Sequence, residues 1–205
     1  MGIRKVAGAA IFAVAVAATP AAAQTVTFST SGSFSGLGCS TTVCNFGGFV
    51  LGFTTAASNS YIAPTFVDLG DFTTLCNTCT PGQSVPISSG VMFTLTISQT
   101  NPTTGTNQFA GSISGNLSYN PSSSSLVWTP TTFNFPIAPV NYALVTDAGA
   151  GVSGQIVIAA PTTDHNPNPT LVKAFVTTVP EPASIALMAT GLVGLIPVAR
   201  RRRNK

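Results

Sequence analysis

The chain is 205 residues long and only 6% of them are charged, against about 25% in an ordinary globular protein. Its net charge of +3 belongs to the two ends: Arg4 and Lys5 at the start, and Arg200, Arg201, Arg202, Arg203 and Lys205 at the finish. Between them Lys173 stands alone against Asp68, Asp71, Asp147 and Asp164, so the middle carries about −3. That excludes the basic face with which a protein neutralises nucleic-acid phosphates. With 44% apolar residues and so few charges, the polar surface must be built from Ser, Thr, Asn and Gln.

Residues 1–23 read as a secretory signal peptide. Arg4 and Lys5 supply the positive start, Val6 to Ala18 the apolar stretch, and Thr19-Pro20 the break after it. Ala21 and Ala23 give a small-x-small cleavage site, which leaves Gln24 first. The expected exported domain then runs over 24–178, about 155 residues, enough for one core that buries about 70% of its unfolded surface.

Within that domain the residues alternate with period two, the signature of strands. Val26 with Phe28 opens the series. Val91, Phe93, Leu95 and Ile97 share one face, and Thr94, Thr96 and Ser98 the other. Phe109, Gly111, Ile113, Gly115, Leu117 and Tyr119 alternate with small polar residues, as one long strand or a hairpin that bends near Gly115. Phe133, Phe135 and Ile137 follow, then Tyr142 and Leu144, Ile156 and Ile158, and finally Val172, Ala174 and Val176. Turn signals such as Asn101-Pro102, Asn120-Pro121, Thr129-Pro130 and Asn166-Pro167-Asn168-Pro169 separate the runs. This spacing predicts an all-β fold, a single antiparallel sandwich or jelly-roll-like domain. No helical period and no fixed-length repeat occurs between 25 and 179.

Cys39 and Cys44 are separated by four residues, and Cys76 and Cys79 by two. An even cysteine count in an exported chain points to disulfides. Local pairing, 39 with 44 and 76 with 79, is favoured, and cross-pairing of the two loops is the alternative. Redox use of Cys76-x-x-Cys79 wants a helix N-terminus, but Pro81-Gly82 follows instead. The spacing also fits no familiar zinc ribbon, so no metal site is expected.

No catalytic set is visible. His165 is the one histidine and lies in an Asn/Pro-rich loop; no G-x-S-x-G marks a nucleophile. Asp68 and Asp71, in Val67-Asp68-Leu69-Gly70-Asp71-Phe72, read as a solvated turn before a calcium site or a glycosidase pair, which needs carboxylates on opposite sides of a sugar. Trp128, Tyr61, Tyr119 and Tyr142 are the candidates for stacking on a ligand's sugar rings. No enzyme activity and no cofactor are expected.

Thr177 to Glu181 reads as a short stalk. Beyond it Val179-Pro180-Glu181-Pro182 resists helix, because each proline fixes φ and biases the residue before it. Ala183 to Ala199 is 17 residues without a charge, about 25 Å as a single transmembrane helix. Arg200 to Arg203 and Lys205, a basic tail over 200–205, favour the cytoplasmic side. These elements place the 24–178 domain outside the inner membrane, with 179–205 as its anchor.

Val179-Pro180-Glu181-Pro182, the apolar run from Ser184 to Ala199 and the cluster Arg200 to Arg203 resemble the PEP-CTERM sorting signal, although Pro197 would bend its helix. The resemblance implies an exosortase-type processing enzyme as partner and carriage to the cell surface or extracellular matrix. It also implies association with exopolysaccharide and biofilm. The reading that follows is a non-enzymatic surface or matrix protein; the alternatives are a carbohydrate-binding or adhesion module and, behind it, an ice-binding protein. Ice binding wants flat Thr-x-Thr ladders, and only Thr25/Thr27 and Thr94/Thr96 have that form.

Overall fold

A computed structural model describes residues 23–87, 90–119, 126–161 and 168–178. The signal peptide expected over 1–23 (apart from Ala23), His165, and the sorting segment and helix expected over 179–205 lie outside them. Among the described residues there is no helix, and none long and apolar enough to cross a membrane. The all-β expectation holds: the chain forms two antiparallel sheets packed face to face.

The first sheet contains β1 (Gln24–Ser35), β4 (Asn59–Ala63), β6 (Ser84–Ile87), β7 (Met92–Asn101), β8 (Gly105–Ser118), β9 (Leu126–Pro130) and β13 (Ile156–Ile158). Its order is β13-β9-β8-β7-β1-β4, with β6 added to the far end of β8. The second sheet contains β2 (Val43–Phe46), β3 (Phe49–Thr55), β5 (Thr65–Cys76), β10 (Asn134–Ile137), β11 (Val140–Thr146), β12 (Gly149–Ala150) and β14 (Asn168–Thr178). Its order is β10-β11-β14-β5-β3-β2, with β12 on β11. The chain crosses between the sheets repeatedly.

Alternation decides which face each strand buries. Phe93, Leu95 and Ile97 of β7 are fully buried, and Thr94, Thr96 and Ser98 face out. Strand β8 answers the open question at Gly115. It is one strand, but Gly115 has φ +113°, a conformation that L side chains rarely adopt. Residues before this point pair with β7 and β9, and residues from it onward pair with β6.

Aromatic rings join the two layers. Phe93 of the first sheet lies 4.6 Å from Phe72 and 4.8 Å from Phe53 of the second, and 5.2 Å from Trp128 beside it. Phe109 meets Phe135, and Phe28 meets Tyr142 edge-on. These arrangements are the tilted and T-shaped ones that ring quadrupoles favour.

The segment around Asp68 corrects the turn reading. Residues 65–76 form one strand, β5, with a bulge. Lys173 pairs with Asp68 and Val172 with Gly70, so Leu69 is the extra residue. The bulge shifts the phase: Val67 and Leu69 point inward before it, Phe72, Thr74 and Cys76 after it. A bulged carbonyl leaves the ladder and needs another partner. Thr30, buried on β1, supplies it by donating its hydroxyl to Leu69 O at 2.8 Å, and Thr30 Oγ1 in turn accepts from Ala56 N at 2.8 Å.

One polar cluster is sealed in the core. Tyr142 donates its hydroxyl to Gln99 Oε1 at 2.8 Å, and the Gln99 amide donates to Thr103 O at 3.0 Å. Burial disfavours the charged phenolate and pushes the Tyr142 phenol well above its ordinary value. Because the folded-state value is the higher one, stability is fully present below the unfolded tyrosine value of 10.0. It falls as the pH rises beyond that point. Urea unfolding at stepped pH is expected to show this alkaline decline in the native chain and a shallower one in Tyr142→Phe. That variant should also lose about 1–3 kcal/mol at neutral pH, because Gln99 is left with an unmet acceptor.

Candidate functional site

The four described charged side chains are Asp68, Asp71, Asp147 and Lys173. Asp68, Asp71 and Lys173 stand on the outer face of the second sheet, where Lys173 Nζ approaches Asp68 at 3.9 Å. Both groups are about half exposed, so the pair contributes little. Asp147 lies in the turn between β11 and β12 and accepts from Gln155 N at 2.8 Å.

The outer face of the first sheet carries no charge among the described residues. Strand β1 presents Thr25, Thr27, Ser29, Ser31 and Ser33; β7 presents Thr94, Thr96 and Ser98; β8 presents Thr106, Gln108, Ser112 and Ser114. The register sets these into rows. Thr106, Ser98 and Ser29 form one, Gln108, Thr96 and Ser31 the next, and Ala110, Thr94 and Ser33 a third. Sheet geometry spaces such groups about 4.8 Å apart across strands and about 6.8 Å along them. Each hydroxyl both donates and accepts. A surface of this kind complements another neutral, hydroxyl-bearing surface.

Thr25/Thr27 and Thr94/Thr96 both lie on this face, but they do not form a joint threonine ladder. Ser31 and Ser33 stand opposite Thr96 and Thr94, whereas Thr27 meets Ser60 of β4 at 2.8 Å.

Two of the expected aromatic contacts are not there. Trp128 and Tyr142 are both 0% exposed and belong to the core, which corrects their reading as ligand contacts. Both fall on the inward parity of their strands, and Trp128 packs against Phe72 and Phe93. The Trp128 indole N–H has no hydrogen-bond partner, so the residue serves here as a large apolar filler. Tyr119 is half-buried just after β8, its N–H donating to Gln83 O at 3.0 Å.

The cysteines pair locally: Cys39 with Cys44, and Cys76 with Cys79. No cysteine is free. Cys76 pairs in register with Phe49, beside the β2–β3 hairpin that holds Cys44, so both bridges sit at one pole of the sandwich. Asp68 and Asp71 lie on an open strand face; among the described residues no three His, Cys, Asp or Glu gather as a metal site.

The opposite pole holds both ends of the domain. Gln24 pairs with Ala63, and the last strand closes with Thr178 opposite Val140. Residues 178–203 match the PEP-CTERM protein-sorting motif. No curated protein and no solved structure matches the chain. The motif begins on the final residue of β14, so the stalk expected from Thr177 is shorter than the sequence suggested: Thr177 and Thr178 are still paired in the sheet. The chain is thus a two-sheet β domain that carries, over residues 178–203, the PEP-CTERM sorting motif of an exported protein processed at the membrane by an exosortase.

Proposed function

We propose that the protein is a non-enzymatic component of the cell surface or exopolysaccharide matrix, and that the outer face of the first sheet contacts neutral polymer. The observation that carries this reading is a sheet face with hydroxyl rows and no charge among its described residues. Every described charge lies on the second sheet or its turn, while the first presents rows of Ser and Thr. A neutral polysaccharide offers hydroxyls at similar density and no charge to pair. Charged groups on the protein would have to be stripped of water without return; serine and threonine exchange one hydroxyl partner for another.

The non-enzymatic part rests on the sequence inventory: one histidine, no glutamate between 25 and 179, and two aspartates side by side on a single strand face. Export through a signal peptide cleaved after Ala23 fits the fold, because β1 begins at Gln24 and cleavage there leaves the strand whole. In the proposed course the domain first faces the periplasm, held by an inner-membrane helix over 183–199. It reaches the surface or matrix after processing at the motif.

Deleting residues 180–205 is expected to shift the protein from the membrane and surface fractions into the soluble exported fraction, and to change aggregation or biofilm of the producing cells. Fractionation with immunoblotting measures the first, and adherent biomass the second. Unchanged location and phenotype would remove the support for this reading.

A further inference from the structure

We infer that the pole of the sandwich from which the chain enters the sorting motif rests on the lipid surface, as an apolar foot for the domain. The inference rests on the reading above that residues 183–199 span the membrane.

The spacing is set by the chain itself. Strand β14 ends at Thr178, and only residues 179–182 separate it from the uncharged run that starts at Ala183. Four extended residues reach at most about 14 Å, so the end of β14 stays within about two headgroup layers of the hydrocarbon. The start of the domain lies at the same pole, because Gln24 pairs with Ala63 and Thr65 pairs with Val176.

What this pole exposes suits lipid rather than water. Ile62 is 66% exposed and Phe66 60% exposed, on either side of Pro64. Phe66 packs at a tilt against Phe175 of β14 with ring centres 4.8 Å apart, so the two rings form one apolar ledge beside the exit strand. The nearest described charges, Asp68 and Lys173, are paired with each other farther along the strands. Aromatic and branched apolar side chains at such a height enter the boundary between headgroups and acyl chains. The basic side chain nearest this pole among the described residues, Lys173, is paired with Asp68, so no described side chain here calls for anionic lipid.

The pole is also stiff. Asn101 donates to Thr25 O at 2.6 Å, Thr103 donates to Ala138 O, and Gln99 and Tyr142 lock the loops behind them. A foot of this kind fixes the tilt of the domain and holds the motif at a constant height.

Because all four native cysteines are in disulfides, single cysteines can carry a polarity-sensitive fluorophore. Ile62→Cys and Phe66→Cys would be compared with Val157→Cys, an exposed position toward the other pole. The full chain would be placed in phosphatidylcholine vesicles, with and without phosphatidylglycerol. The expected result is flotation with the vesicles, blue-shifted emission and several-fold weaker iodide quenching at 62 and 66 than at 157, unchanged by the anionic lipid. Flotation with equal quenching at all three positions overturns the foot and leaves the anchor standing. Failure to float overturns the anchor, and the foot with it. Protection that disappears when protein is diluted in lipid assigns the ledge to a second copy of the chain and also overturns the proposal.

Discussion

Phe93→Ala is expected to cost the domain about 3–5 kcal/mol, the usual range for deleting a buried phenylalanine. In a domain of this size that lowers the melting temperature by on the order of 10 °C. The reason is position rather than area. Phe93 is fully buried and touches rings from both sheets: Phe34 at 4.8 Å and Trp128 at 5.2 Å on its own side, Phe53 and Phe72 across the interface. Its neighbours belong to long paired strands that cannot collapse into the hole. Thermal unfolding followed by near-ultraviolet circular dichroism measures the loss. Phe66→Ala, which removes an exposed ring, serves as the reference and should change stability by under about 1 kcal/mol. Similar small losses in both variants would mean that the sheets are not held together through this ring cluster.

Gly70→Ala is expected to be nearly as severe, at about 2–6 kcal/mol, and for a different reason. Gly70 has φ +125° at the β5 bulge, and a methyl group there would run into Thr54 O and the Phe53 ring. Backbone strain costs about 1–3 kcal/mol, and forced displacement of a packed ring a similar amount. Gly90→Ala separates the two contributions. Gly90 has φ +106° but open space around it, so that variant carries only the strain. Urea midpoints for the two alanine variants should differ clearly; equal midpoints would show that the space around the bulge is not tight.

The parts of this fold that could be read from the chain are its half-buried strands. In β7 and β8, apolar and small polar residues alternate without interruption, and the structure buries the expected face of each. The region from 43 to 76 was harder. Strands β2 and β4 are short edge strands, and Phe49-Val50-Leu51-Gly52-Phe53 of β3 has no clean period. In β5 the bulge puts Leu69 and Phe72 on the same face although their spacing is odd, which is why Asp68 and Asp71 resembled a turn. The local disulfides were readable because each cysteine pair is close in sequence.

The candidate site was less legible. A lone Trp in an apolar strand fits a sugar platform as well as a core until the parity of its strand is known, and Trp128 takes the inward one. The hydroxyl face depends on register between β1 and β7, strands far apart in the chain. Composition announced a polar, uncharged surface. Only the pairing shows that Ser and Thr form charge-free rows on the outer face of one sheet, while the described charges stand with the threonines of the other. The sorting motif was legible because its meaning is carried by local order, not by pairing.

Moving a charge from one face to the other tests which sheet faces polymer. Thr96→Lys places it amid the hydroxyl rows of the first sheet, and Thr54→Lys places it on the second sheet, opposite Asp71. Co-sedimentation of the purified chain with insoluble neutral polysaccharides gives the answer. Retention of the native protein and of Thr54→Lys, with loss of Thr96→Lys from the pellet, is the predicted result. Equal retention of both variants, or no retention of the native protein on any neutral polymer, would contradict the assignment of the first sheet as the polymer-facing surface.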